Sequence, residues 1–270
     1  FFLRDLTKKV DEDWSGVLAD LEAFRAAIIN RNGMVCNVTV DAGNWTAIQP
    51  QLETFLNNLP HFDFASQHWQ PQILNGFEGL AIPAQVNFVG KAANIYDLGY
   101  QFHGSSLVIH KYLRTNWLWN KVRVQGGAYG AFCQFGRHSG IFSFSSYRDP
   151  NLLETIKNFD DTAKFLKDAE ITEEELSKSI IGAIGSLDAY QLPDAKGSTS
   201  MMHYLYGDTD EEYQVMRDEL FATTPQHFKE YGDILAGVKD KGLVIVAGGD
   251  DAIAKANKKN NHWLKVTKVL

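Results

Sequence analysis

The chain has 270 residues, 44% hydrophobic and 22% charged, an ordinary globular balance and enough length for one large core or a domain plus part of another. A net charge of −7 without any dense Lys/Arg block argues against a nucleic-acid partner and leaves only a weak, non-specific attraction for basic peptides. No run of 18 apolar residues occurs, so no helical membrane insertion is expected; Cys36 and Cys133, far apart, fit free thiols rather than a disulfide framework.

Residues 14–30 carry Val17, Leu18, Leu21, Phe24, Ile28 and Ile29 at helical spacing, and Asn32-Gly33 supplies the turn that ends the helix. Residues 34–40 alternate and are rich in β-branched side chains, which predicts a strand. A second helix is expected over 45–59, with Pro50 as a kink or true start and Pro60 as its stop. Residues 60–79 show no period and read as a linker. This α-β-α stretch buries too little to stand alone, and residues 1–78 are expected to be the tail of a preceding domain plus linker. Beginning at Phe1, the chain reads as a piece of a longer protein.

Residues 79–270 are expected to form a complete domain. A strand is predicted at 84–92, with Val86, Phe88 and Gly90 on one face, and a helix at 107–119 through Leu107, Val108, Tyr112, Leu113 and Leu118. Residues 130–135 and 140–147 form paired strands joined at Gly136-Arg-His-Ser139, with Phe142 and Phe144 on a buried face. Pro150 opens a helix to about Lys167, and Thr172 caps another, with Glu175 completing a capping box. Two more helices start at Asp208-Thr-Asp210 and Thr223-Thr-Pro225, and 242–248 is a closing buried strand. A β-α-β-β core followed by helices and a last strand fits an α+β layer, a mostly antiparallel sheet covered by helices, better than a doubly wound sheet.

The most informative stretch is Lys121-Val-Arg-Val-Gln-Gly-Gly-Ala-Tyr-Gly130. It sets Arg123 six residues before Tyr129 across the pair Gly126-Gly127, where a helix should hand over to a strand. A guanidinium and a phenol presented together, with glycines that admit another backbone, suit gripping a peptide carbonyl or a developing oxyanion. Ser146-Tyr-Arg-Asp-Pro-Asn151 and Pro193-Asp-Ala-Lys-Gly197 follow in order. Trp117, Trp119, Phe132, Phe135, Phe142 and Phe144 concentrate around the stretch, in a pattern that reads first as a core face. Tyr147-Arg-Asp149 is expected to make a local structural ion pair. Asp194-Ala-Lys-Gly-Ser198 lacks the glycines of a phosphate loop and reads as a bend between helices, made by Pro193 and Gly197.

The ordered series R-x-x-G-G-A-Y-G, S-Y-R-D-P-N and P-x-x-K-G resembles the C-terminal half of the presequence proteases, organellar peptidasomes of the pitrilysin-type zinc metallopeptidases. The resemblance implies four related domains in two halves, residues 1–78 ending the third and 79–270 forming the fourth. It implies zinc, water and a general-base Glu on the absent N-terminal half. Tyr129 and Arg123 would be the catalytic and substrate-binding donors, with Gly126 and Gly127 at the peptide. Substrates would be short unfolded peptides, including cleaved presequences, in the mitochondrial matrix or chloroplast stroma.

The family's H-x-x-E-H ligand pattern is approached here only by His227-Phe-Lys-Glu-Tyr231, where Tyr231 replaces the second histidine. His61/His68 and His103/His110 lie seven residues apart, too far on a helix to share a zinc ion, so no metal residue is expected in this chain and the fragment alone is expected to be inactive. The alternative is a non-catalytic pitrilysin-like structural subunit of a processing or respiratory complex; a scaffold has no use for the Arg123–Tyr129 pair.

Overall fold

The computed structural model describes residues 1–63, 70 and 76–269. They fall into two units, Phe1–Ile73 with Tyr190–Gly207, and Leu74–Ala189 with Asp208–Leu270. The chain opens with helices α1 (Phe2–Glu12), α2 (Trp14–Ile28) and α3 (Ala42–Asn58), then strands β1 (Phe77–Ala81) and β2 (Asn87–Asn94). Helix α4 (Ser105–Tyr112) runs on as a π-helix (Leu113–Gln125), followed by β3 (Gly130–Phe135) and β4 (Ile141–Asp149). Helices α5 (Leu153–Asp160), α6 (Thr162–Asp168), α7 (Glu173–Leu187), α8 (Pro193–Tyr206), α9 (Asp210–Phe221) and α10 (Pro225–Lys241) come next. Strand β5 (Leu243–Gly248), α11 (Asp250–Lys259) and β6 (Leu264–Lys268) close the chain.

In the first unit, α2 and α3 begin where Asp13 and Asp41 accept the backbone N–H of Gly16 and Asn44, both at 3.0 Å. Helix α3 continues through Pro50 rather than breaking there. Among its described residues only Val17, Asn30 and Gly197 are buried; Leu18, Leu21, Phe24, Ile28 and Phe55 are exposed despite their helical spacing. Residues 34–40, expected as a strand, are not one: the alternation is there, but among the described residues no strand pairs with them to form a ladder. Asn37 Nδ2 instead donates to Gly197 O at 2.7 Å. The expected bend at Pro193 and Gly197 is also corrected. Pro193 starts α8, where its missing N–H is no loss, and Gly197 lies inside that helix at a point where a Cβ would overlap Thr39 Oγ1.

The second unit is an α+β layer. Its six-stranded sheet has the order β3-β4-β2-β5-β1-β6. β1 lies parallel to β5 and β6, and the remaining pairs are antiparallel. Strand alternation sorts the two faces. Val89, Phe142, Phe144, Val244 and Val246 point into one core with Ile109, Leu113, Phe159, Phe228 and Leu235 of the helices. The 130–135 and 140–147 pairing is as expected, with Phe142 fully buried and Phe144 2% exposed. Lys91, on the same buried face, is neutralised by Asp160 at 2.5 Å and donates to Lys239 O at 2.7 Å, tying β2 to α5 and α10.

Other boundaries shift for physical reasons. Part of the expected linker lies outside the described residues, but 77–81 is strand β1, too short and glycine-interrupted to show a period. The helix expected over 150–167 is two, α5 and α6, meeting at Asp161. α1, whose Phe2, Leu3, Leu6 and Val10 recur at helical spacing, and β6 were not among the predicted elements. Thr172 and Glu175 do close a capping box at 3.2 and 3.0 Å. Thr172→Ala should lower stability by about 1 kcal/mol, read from a guanidinium denaturation midpoint with unchanged m-value.

Candidate functional site

The π-helix determines how the site is presented. Its buried residues Leu113, Leu118 and Val122 recur at steps of five and four, which suits an i→i+5 ladder better than the α-helical period. The helix expected over 107–119 is therefore α-helical only to Tyr112 and extends to Gln125 in the wider form. Trp117 anchors the inner side, stacked on Phe165 at 4.6 Å between ring centroids and donating Nε1–H to Asn158 O at 2.9 Å. On the outer side Arg123 lies in the last turn, its guanidinium carbon 4.1 Å from the ring centroid of Trp119.

The helix closes on the two glycines. A Cβ at Gly126 would sit 2.5 Å from Val122 O, and Gly127 has φ +80°, a left-handed conformation that L side chains rarely adopt. Gly127 N–H donates to Arg123 O at 2.9 Å and Ala128 N–H to Val122 O at 3.1 Å. That second bond closes the loop between the immediate neighbours of Arg123 and Tyr129, so both side chains leave one closed turn. Asn151 clamps it from β4's end, donating Nδ2–H to Gly126 O at 2.6 Å.

Asn151 is itself fixed by Asp149, which is fully buried. Asp149 accepts from Asn151 N–H at 2.9 Å and Thr155 Oγ1 at 2.7 Å. The ion pair expected between Arg148 and Asp149 does not form among the described residues: Asp149 turns inward to these donors, and Arg148 is exposed. Asn151 stood in the S-Y-R-D-P-N motif without a role. Its place directly after a proline, at a strand end, was the only local hint of a side chain aimed at backbone.

Tyr129 is 68% exposed, one residue before edge strand β3, and its N–H donates to Tyr147 O at 3.1 Å. Its ring meets Tyr147 edge-on at 5.9 Å, and Tyr147 meets Phe88 at 5.3 Å. This aromatic row lies on the sheet face opposite the core. Beside it Gly90, Ala92, Ser143 and Ser145 floor a trough of about 590 Å³ edged by Leu243 and Ile245. Phe132, read first as core, faces this open side and is 39% exposed.

The histidines go elsewhere. Tyr231, in the position of a second ligand, is buried and shares a 2.7 Å hydrogen bond with His110 Nε2. Burial drives the His110 pKa from 6.5 to about 3 and raises that of Tyr231. His227 caps α10, accepting Thr224 N–H at 3.0 Å. His68 lies outside the described residues. Among those described, no group of three or more His, Cys, Asp or Glu side chains is placed to hold a metal ion, so the residues here do not fit a zinc centre. Cys133 is buried and its thiol is pushed up to about 12, an unreactive state, whereas Cys36 is exposed.

A family model described as the PreP C-terminal domain matches residues 77–249. The chain is similar to presequence protease 1, chloroplastic/mitochondrial, of Arabidopsis thaliana, 44% identical over 100% of this chain and 25% of that protein. It is also similar to protein HypA of Clostridium perfringens, 29% identical over 92% of this chain and 25% of that protein. Pitrilysin has a like fold, with TM-score 0.53 and 14% identity over 85% of this chain and 25% of that chain. The chain thus spans about a quarter of the length of the curated relatives it matches. On a family model that covers most of its length and a relative 44% identical throughout, the chain belongs to the presequence protease C-terminal domain family.

Proposed function

We propose that this chain is the substrate-holding, non-zinc part of a peptidase that degrades cleaved targeting presequences and other short unstructured peptides in the mitochondrion or chloroplast. The observation that carries the reading is the exposed donor pair Arg123 and Tyr129, leaving one turn closed by the Val122–Ala128 hydrogen bond. In this reading residues 1–78 end a preceding domain and 79–270 form the terminal one.

The activated water for peptide hydrolysis would come from a zinc ion held by residues outside this chain. The residues here bind and orient. Arg123 donates to a backbone carbonyl oxygen of the bound peptide. Tyr129 O–H donates to the scissile carbonyl oxygen as negative charge develops on it. The trough beside the Tyr129–Tyr147–Phe88 row receives apolar side chains of an extended peptide. Donors on a part of the protein remote from the metal couple hydrolysis to closure around the substrate.

The test uses the full-length protein and an internally quenched presequence peptide. Chelator-sensitive hydrolysis is expected, with Arg123→Ala reducing kcat/KM at least about tenfold, the size of a lost charge-assisted hydrogen bond. The isolated chain should cleave nothing. Absence of hydrolysis by the full-length protein would instead favour a structural subunit.

A further inference from the structure

The geometry points to Trp119 as the positioning residue of Arg123, an inference that rests on the substrate-holding role proposed above. Arg123 follows Trp119 by four residues in the π-helix, whose wide turn brings that spacing nearly into line along one face. The guanidinium carbon is 4.1 Å from the indole centroid, well inside cation–π range. Trp119 is 46% exposed, so this ring is not held outward by a need to fill the core. Trp117, two residues earlier, does that work on the inner side.

The choice of partner matters chemically. A guanidinium carries its five N–H donors in the plane of the group, and stacking occupies only the faces. A carboxylate would have taken two of those donors in a bidentate pair. No carboxylate forms an ion pair with Arg123 among the described residues. The indole therefore fixes a long, otherwise mobile side chain while leaving its donors directed at a peptide. It also contributes before the transition state is reached, so its loss should show in KM.

In the full-length protein, with a short internally quenched basic peptide as probe, Trp119→Leu should raise KM about two- to fivefold with kcat little changed, the size of an exposed cation–π contact. Trp119→Phe, which restores an aromatic face, should recover most of the loss. On an Arg123→Ala background, Trp119→Leu should add nothing. Wild-type KM in Trp119→Leu beside an impaired Arg123→Ala would overturn the role of Trp119 and leave that of Arg123 standing. So would a Trp119→Leu penalty that persists in full without Arg123, which would mark a structural effect. Wild-type kinetics in Arg123→Ala would instead remove the substrate-holding reading itself.

Discussion

Tyr129→Phe in the full-length protein should lower kcat by about 10²–10³ with little change in KM, the cost of losing one oxyanion donor. The substitution removes one hydroxyl from a ring whose surroundings are otherwise kept. Tyr129 is exposed, its N–H remains bonded to Tyr147 O, and its ring contact with Tyr147 survives in phenylalanine. Folding should therefore be unaffected, and the change should fall on the chemical step, because a phenol contributes most when the carbonyl oxygen becomes charged. Arg123→Ala differs in kind, since a guanidinium already bonds the ground-state peptide and its loss also raises KM. Steady-state kinetics on both variants, with zinc content measured in each, separates the two roles. A Tyr129→Phe enzyme with wild-type kcat would leave this turn as a wall of the binding space rather than a participant.

Lowering the pH from about 7.5 to about 5 should cost the chain about 2 kcal/mol of stability through His110 alone. Its imidazole is half-buried, packed against Tyr231 and Phe142, with Cys133 Sγ on its backbone carbonyl. Burial first, then the charge of Arg114, holds its pKa from 6.5 to about 3. The unfolded chain therefore takes up a proton as the pH falls through 6.5, and the folded chain does so only near 3. Stability from this group is complete above 6.5 and is lost at about 1.4 kcal/mol per pH unit below it. His110→Gln keeps an amide for Tyr231 and cannot titrate, so its denaturation midpoints should fall less steeply over the same interval, by about one proton. Parallel slopes for the two proteins would show that other groups govern the acid limb.

The parts legible in the sequence are those decided within a few residues. Thr172 with Glu175 is a capping box because both partners lie on one helical turn, and the Phe142/Phe144 alternation needs only a period of two to name the buried face. The handover from Arg123 to Tyr129 was legible likewise, since paired glycines between a helical and an alternating run can do little else. What the tertiary structure decided is partnership. Residues 34–40 carry a clearer strand pattern than 77–81, yet only the latter lie between β5 and β6, and a ladder exists only with a neighbour. The π-helix is set by how Leu113, Leu118 and Val122 meet the core, a widening that helix propensities do not encode. The clamp of Asn151 on Gly126 spans 25 residues of sequence, and only the folded sheet brings that amide to the turn. Local sequence thus set the two proposed donors, Arg123 and Tyr129, on one turn, and non-local hydrogen bonds and packing determined how that turn is held.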